Sequence, residues 1–203
     1  MRRLDALRSD LSVLRAMARG MPRAATQADS LAAFYAPQTE HYDLFRERLL
    51  HGRQQLIAKL PLAERAHVVD LGGGTGRNIE FFAERVSRIA RYEVVDLCEP
   101  MLERARERGR VFPQLRAIHG DATTWQADAP VDAVILLYAL TMIPNWRAAI
   151  VNALAMLKPG GVLAVVDFYV AAEQPLAGCR RHNWIPRKFW PAWFGHDGVR
   201  LAS

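Results

Sequence analysis

His67-Val-Val-Asp70-Leu-Gly72-Gly-Gly74-Thr75-Gly76-Arg77-Asn78 is the stretch on which the reading of this chain turns. A short β-branched run ends on a carboxylate, four glycines follow, and a helix-like segment begins. A strand that turns sharply into a helix needs residues that accept positive φ and carry no Cβ, so that the backbone can lie against a ligand. The helix N-terminus then directs free N–H groups at whatever sits there. The alternative is a tight strand–helix turn with no ligand. Spacing narrows the choice of nucleotide. The dinucleotide fingerprint Gly-x-Gly-x-x-Gly would require glycine at position 77, which is arginine, and no Gly-Lys-Ser/Thr phosphate loop is present.

Outward from this motif, strands and helices alternate. Strands are expected at Val68–Leu71, Tyr92–Leu97, Leu115–His119, Val131–Tyr138 and Val162–Tyr169. Helices are expected from Asn78 to about Ser87, from Pro100 onward, and from Asn145 to Leu157, the last closed by Lys158-Pro-Gly-Gly161. Val131–Tyr138 is apolar enough to be buried on both faces. Such alternation predicts an α/β fold with a mainly parallel sheet and helices on both faces. Upstream, Leu4, Leu7, Leu11 and Leu14 recur at helical spacing among Arg2, Arg3, Arg8 and Arg15, which predicts a basic amphipathic helix ending near Gly20 and Pro22. That helix packs on its own domain or lies on a membrane surface. Residues 24–39 read as a connector broken by Pro37, and a second helix is expected from about Glu40 to Lys59. Residues 1–60 are thus expected to form an N-terminal helical extension or lid, and residues 61–203 the ligand-binding domain. After Tyr169 there is not room for two further strands, so either the chain is shortened or the last sheet edge needs cover.

The chain of 203 residues is 51% hydrophobic and 24% charged, which suits one globular domain with extensions. Its two cysteines, Cys98 and Cys179, fit no metal spacing and argue for a reducing, cytoplasmic setting. No metal is expected. The longest apolar run, Ala133–Ile143, is too short to span a bilayer. The net charge of +6 sits on the ends, with +4 in residues 1–23, +4 in residues 178–203 and −2 between them. This favours ends that touch an anionic membrane surface, with the protein peripheral there, over a core that grips nucleic acid. The tail from Arg180 to Phe194 mixes cations with Trp184, Trp190 and Trp193, which suits a lipid headgroup interface, a packed lid, or base stacking. The sequence leaves the oligomeric state open.

Carboxylates stand where such a sheet would place ligand contacts. Asp96 ends the second strand 20 residues after Gly76, suited to ribose hydroxyls; the alternative is a cap on the next helix. Asp121 follows the third strand, suited to an adenine amino group while the backbone at Ala122 meets a ring nitrogen; the alternative is a turn aspartate. With Asp70-x-Gly72-x-Gly74-x-Gly76, Val95-Asp96-Leu97-Cys-Glu-Pro-Met-Leu102 and Leu157-Lys-Pro-Gly-Gly161, residues 64–169 resemble the class I S-adenosylmethionine-dependent methyltransferases of the small-molecule branch. The resemblance implies a Rossmann-like fold, S-adenosyl-L-methionine as cofactor, and a binding set of Asp70, Gly72, Gly74, Thr75, Gly76, Asn78, Asp96, Leu97, Asp121, Ala122 and Tyr138. Nucleic-acid amino-methylating relatives place Asn/Asp-Pro-Pro-Tyr/Phe after strand four, and Leu137-Tyr-Ala-Leu-Thr-Met-Ile-Pro144 does not match that pattern.

A narrower resemblance is carried by Leu50-His-Gly-Arg53, Asp70 to Asn78, Tyr138 to Pro144 and Val166-Asp-Phe-Tyr-Val170, which look like the N-methyltransferase of betaine-lipid synthesis. It implies trimethylation of the amine of diacylglyceryl-homoserine. An amine becoming a quaternary ammonium is well served by aromatic faces, for which Tyr35, Tyr42 and Tyr138 are the candidate acceptor-site residues, with Phe168 and Tyr169 nearby. Each of these rings would otherwise serve the core. His41 or Tyr42 is a candidate base; the alternative is that the amine loses its proton directly to water. The competing readings are a quinone-type or other small-molecule C- or O-methyltransferase, and an adenosylmethionine-binding module without transfer activity.

Overall fold

The computed structural model describes residues 20–22, 24–38, 43, 47, 50–169, 183–185, 188, 189, 191 and 195. The predicted N-terminal amphipathic helix, His41, Tyr42 and nearly all of the tail beyond Tyr169 lie outside the described residues. Five parallel strands form one sheet in the order β3-β2-β1-β4-β5: β1 Ala66–Leu71, β2 Ile89–Asp96, β3 Leu115–His119, β4 Val131–Leu137 and β5 Leu157–Val166. Alternate residues of each strand feed two cores, one on each face. Val68, Tyr92, Val94 and Ile135 point to one face, and Val69, Leu71, Val95 and Val134 to the other. The first face is covered by α2 (Arg53–Lys59), by the segment Arg77–Arg88 and by α3 (Glu99–Gly109). The second is covered by α4 (Trp146–Met156) through Ala149, Ala153 and Met156. No helix among the described residues is long and apolar enough to cross a membrane.

Four expectations are corrected. The connector over 24–39 contains a helix, α1 (Gln27–Tyr35), followed by one tight turn, Ala36–Gln38. Thr26 caps it by accepting from Asp29 N at 3.1 Å, and its hydroxyl donates to the Asp29 carboxylate at 2.7 Å. The long helix expected over 40–59 does not run through residue 52. Gly52 adopts φ 90°, and α2 starts only at Arg53. The segment after the glycine loop is not one regular helix: it winds tightly and breaks at Ala83, with φ 49° and ψ −128°. The break turns Phe82 into the core, edge-on to Tyr92 at 5.9 Å, and lets Arg85 donate to the carbonyls of Ile57, Ala58 and Leu60 at the end of α2. Finally, β5 begins at Leu157 rather than Val162. Leu157 pairs with Val131 and pairing resumes with Val162 opposite Ala133, so Lys158–Gly161 bulge from the sheet instead of ending the helix.

Candidate functional site

The sheet order reverses between β1 and β4, and open parallel sheets bind ligands at the carboxyl ends of the strands beside such a reversal. A cavity of about 250 Å³ lies there. From β1 come Gly72 and Gly74, from β2 Asp96, Leu97 and Cys98, from β3 Asp121 and Ala122, and from β4 Tyr138. The sequence-predicted Gly72, Gly74, Asp96, Leu97, Asp121, Ala122, Tyr138 and Tyr35 therefore share one cavity.

The glycine loop reaches it through left-handed residues. Gly72 has φ 68° and Gly74 φ 57°, and Gly72 N donates to Val95 O at 2.7 Å. A Cβ on Gly72 would stand 2.6 Å from the Ala139 methyl, so the loop and the end of β4 touch backbone to side chain. Asp96 braces this loop and also opens the next helix: Oδ2 accepts from Gly74 N and Oδ1 from Cys98 N, both at 2.8 Å. Asp121 likewise caps its own turn, accepting at Oδ1 from Thr123 N at 2.8 Å and Thr123 Oγ1 at 2.7 Å. Each aspartate thus caps a turn while its residue lines the cavity.

Asp70, Thr75, Gly76 and Asn78 do not line the cavity. They are buried behind it and shape the loop from beneath. Asp70 Oδ2 accepts from Tyr92 OH at 2.7 Å and Asn78 Nδ2 at 2.9 Å, and Arg53 donates to Asn78 Oδ1 at 3.2 Å. Burial first, then the Asp70 charge and hydrogen bond, hold the Tyr92 phenol well above its usual pKa, so it stays a neutral donor. Thr75 donates to Asp43 at 2.7 Å, and Arg108 ties Asp43, Glu80 and the Thr75 carbonyl together. Arg77 binds Glu47 at 2.6 Å and also Glu80. A predicted ligand set drawn from one motif thus divides by strand alternation and loop direction into residues at the surface of the site and residues that hold it.

Several residues of the site were missed by the sequence reading. Gln27 and Leu31 of α1 line the cavity; Leu31 packs with Cys98 and Met101, and Gln27 Nε2 donates to Met142 O at 3.2 Å. The signal was the Thr26-x-x-Asp29 capping pair. Cys98 is 2% exposed, and burial pushes its thiol up to about 12, which leaves a neutral, unreactive wall residue. Asp167, one residue beyond β5, accepts from Thr141 Oγ1 at 2.8 Å and Thr141 N at 3.2 Å. It could have been found by the rule that singled out Asp96, a carboxylate at a strand end. Tyr138 sits at φ 59°, donates its hydroxyl to His51 O at 2.6 Å, and packs its ring on Phe168 with centroids 4.7 Å apart. Its hydroxyl is therefore engaged with the backbone of residue 51 while the residue lines the cavity.

Residues 68–161 match the family profile of a methyltransferase domain. The fold is that of the class I methyltransferases. The trans-aconitate 2-methyltransferase of Variovorax paradoxus is 39% identical over 126 residues, covering 61% of this chain and 47% of that protein. The ubiquinone/menaquinone biosynthesis C-methyltransferase of Shewanella pealeana is 27% identical over 155 residues, covering 70% and 60% respectively. This chain thus spans about half the length of the first of these, and 60% of the second. A methyltransferase from Thiobacillus denitrificans solved with S-adenosyl-L-homocysteine superposes with a TM-score of 0.53 at 24% identity, over 72% of this chain and 55% of that one. S-Adenosyl-L-methionine is the cofactor of this methyltransferase fold, and the residues present fit it. Asp96, Asp121, Ala122 and the Gly72–Gly74 turn, the residues that would hold it, all border the cavity.

Proposed function

We propose that this chain transfers a methyl group from S-adenosyl-L-methionine to an amine-bearing small molecule, with the homoserine amine of diacylglyceryl-homoserine as acceptor. The observation that supports it is the Tyr138 ring, which lines the cavity and is backed by Phe168, with Tyr35 lining the same cavity. The bound cofactor would supply an electrophilic methyl. Asp96 and Asp121 would hold its nucleoside, and the carboxylates make the cavity suited to cations. The Tyr138 ring offers a π face to an amine gaining charge. The α1 residues Gln27 and Leu31 add a wall to the cavity, and an in-line displacement depends chiefly on positioning. The basic ends of the chain would hold it against anionic lipid while a lipid-linked acceptor reacts.

A second reading is methylation of a carboxylate or of a quinone-type ring, favoured by the 39% identity to a trans-aconitate 2-methyltransferase and the likeness to a quinone-pathway C-methyltransferase. One experiment separates them. The protein is incubated with labelled methyl donor and, separately, diacylglyceryl-homoserine, trans-aconitate and a quinol precursor, and the products are weighed by mass spectrometry. The amine reading expects a series of one, two and three added methyls on the homoserine lipid. A single methyl on trans-aconitate or the quinol, and none on the lipid, replaces it with the second reading. Cofactor binding without transfer to any acceptor would mark a binding module.

A further inference from the structure

We propose that Asp167 is a positioning residue for methyl transfer, its carboxylate locking the turn Leu140–Met142 to the end of β5 and so setting the wall that Tyr138, backed by Phe168, presents to the acceptor. The inference rests on the methyltransferase reading above. Donors from both sides converge on this one side chain, among them Thr141 Oγ1 at 2.8 Å and Phe168 N at 2.7 Å on Oδ1, and Thr141 N at 3.2 Å on Oδ2. Thr141 is itself 5% exposed, so its hydroxyl has little water to turn to. The turn it anchors carries Ala139, Met142 and Ile143 into the cavity lining, and Met142 O receives the Gln27 side chain of α1. Phe168, held by the same carboxylate, meets Tyr138 ring to ring, and Tyr138 N donates to Val166 O at 2.7 Å. Tyr138 is kept at φ 59°, a conformation that a bulky side chain adopts only when its surroundings impose it. The Asp167–Thr141 link, the Val166–Tyr138 link and the His51–Tyr138 link together impose it. Asp167 does not line the cavity, so it acts through these neighbours and not on the reacting atoms.

The test compares Asp167→Asn, Thr141→Val, Thr141→Ser and the Asp167→Asn/Thr141→Val pair. With the acceptor that the wild type methylates, Asn and Val are expected to lower kcat about 10-fold and to shift adenosylhomocysteine affinity less than about 3-fold, the scale of misplacing a bound reactant rather than losing it. Thr141→Ser, which keeps the hydroxyl, should recover most of the rate, and the double variant should be no worse than either single one. Hydrogen exchange over residues 138–145 is followed in the same proteins with adenosylhomocysteine. The wild type should be protected there, and the Asn and Val variants should not. Unchanged kcat, or kcat and cofactor affinity falling in equal proportion, overturns the proposal. If the wild type binds the cofactor but methylates nothing, the methyltransferase reading falls, and exchange alone then decides: equal protection in wild type and Asp167→Asn overturns the Asp167 role.

Discussion

Asp96 braces the glycine loop and lines the cavity, and separating that brace from a proposed cofactor contact gives the sharpest test of the site. Its carboxylate accepts from Gly74 N at Oδ2 and from Cys98 N at Oδ1, both at 2.8 Å. Replacing it by alanine strands both N–H groups at the cavity edge. A hydrogen bond to a charged group is worth about 1.5–3 kcal/mol net. Water entering the cavity would satisfy the stranded amides in part, so the cofactor-free protein should lose about 2–3 kcal/mol of stability. For a chain of this size each kcal/mol lowers Tm by about 2–4 °C, so a fall of about 4–12 °C is expected in thermal unfolding without ligand. Calorimetric affinity for adenosylhomocysteine should drop by a further about 10- to 150-fold, the equivalent of about 1.5–3 kcal/mol for the lost ribose contact. Asp96→Asn should rescue little, because its amide nitrogen must face one of two donors. If Asp96→Ala leaves Tm and affinity both within error, neither the loop brace nor the cofactor role stands. If only Tm falls, Asp96 is a cap alone.

Tyr138→Phe keeps the ring and loses the bond to His51 O, worth about 0.5–1.5 kcal/mol, whereas Tyr138→Ala removes the ring. Steady-state rates with the amine acceptor should therefore fall far more for alanine, by roughly 30-fold if a cation–π contact of about 2 kcal/mol develops in the transition state, and equal damage by both would show that the hydroxyl matters. Glu93 has a wholly buried side chain; burial would raise its pKa, but the His67 and Arg91 hydrogen bonds outweigh this and hold it below the usual carboxylate range. A lowered folded pKa gives stability that is present above the unfolded value and lost as pH falls through the folded one, so Glu93→Gln should flatten the acid side of urea-unfolding stability; an unchanged slope there would exclude the network. Asp167 has the opposite sign: burial, only partly offset by the Thr141 bonds, raises its pKa, so its contribution is complete below the unfolded value and fades as pH rises through the folded one. Asp167→Asn should remove that fade in the same unfolding series, and a wild-type curve that it leaves unaltered would contradict the shift.

The sequence by itself determined the sheet, the order of its strands along the chain and the strand-end residues that border the cavity. Those features rest on local chemistry. β-Branched runs make strands, Asp96 and Asp121 stand at strand ends, and glycines at 72, 74 and 76 accept left-handed backbone. Strand alternation in a parallel sheet then delivers successive strand ends to one edge, so residues far apart in the chain meet without further information. Tertiary structure decided what lies in front of the loop and what lies behind it. Asp70, Thr75 and Asn78 belong to the same motif as Gly74, but contacts with Tyr92, Asp43 and Arg53 bury them under the turn. Those partners lie 22 to 32 residues away, and no spacing rule relates them. The break at Ala83, the cavity wall made by α1, the left-handed Tyr138 and the Asp167 anchor have the same origin. Each exists because a distant group satisfies a buried donor or fills a gap, and the free energy that favours it appears only when the sheet has brought the two together.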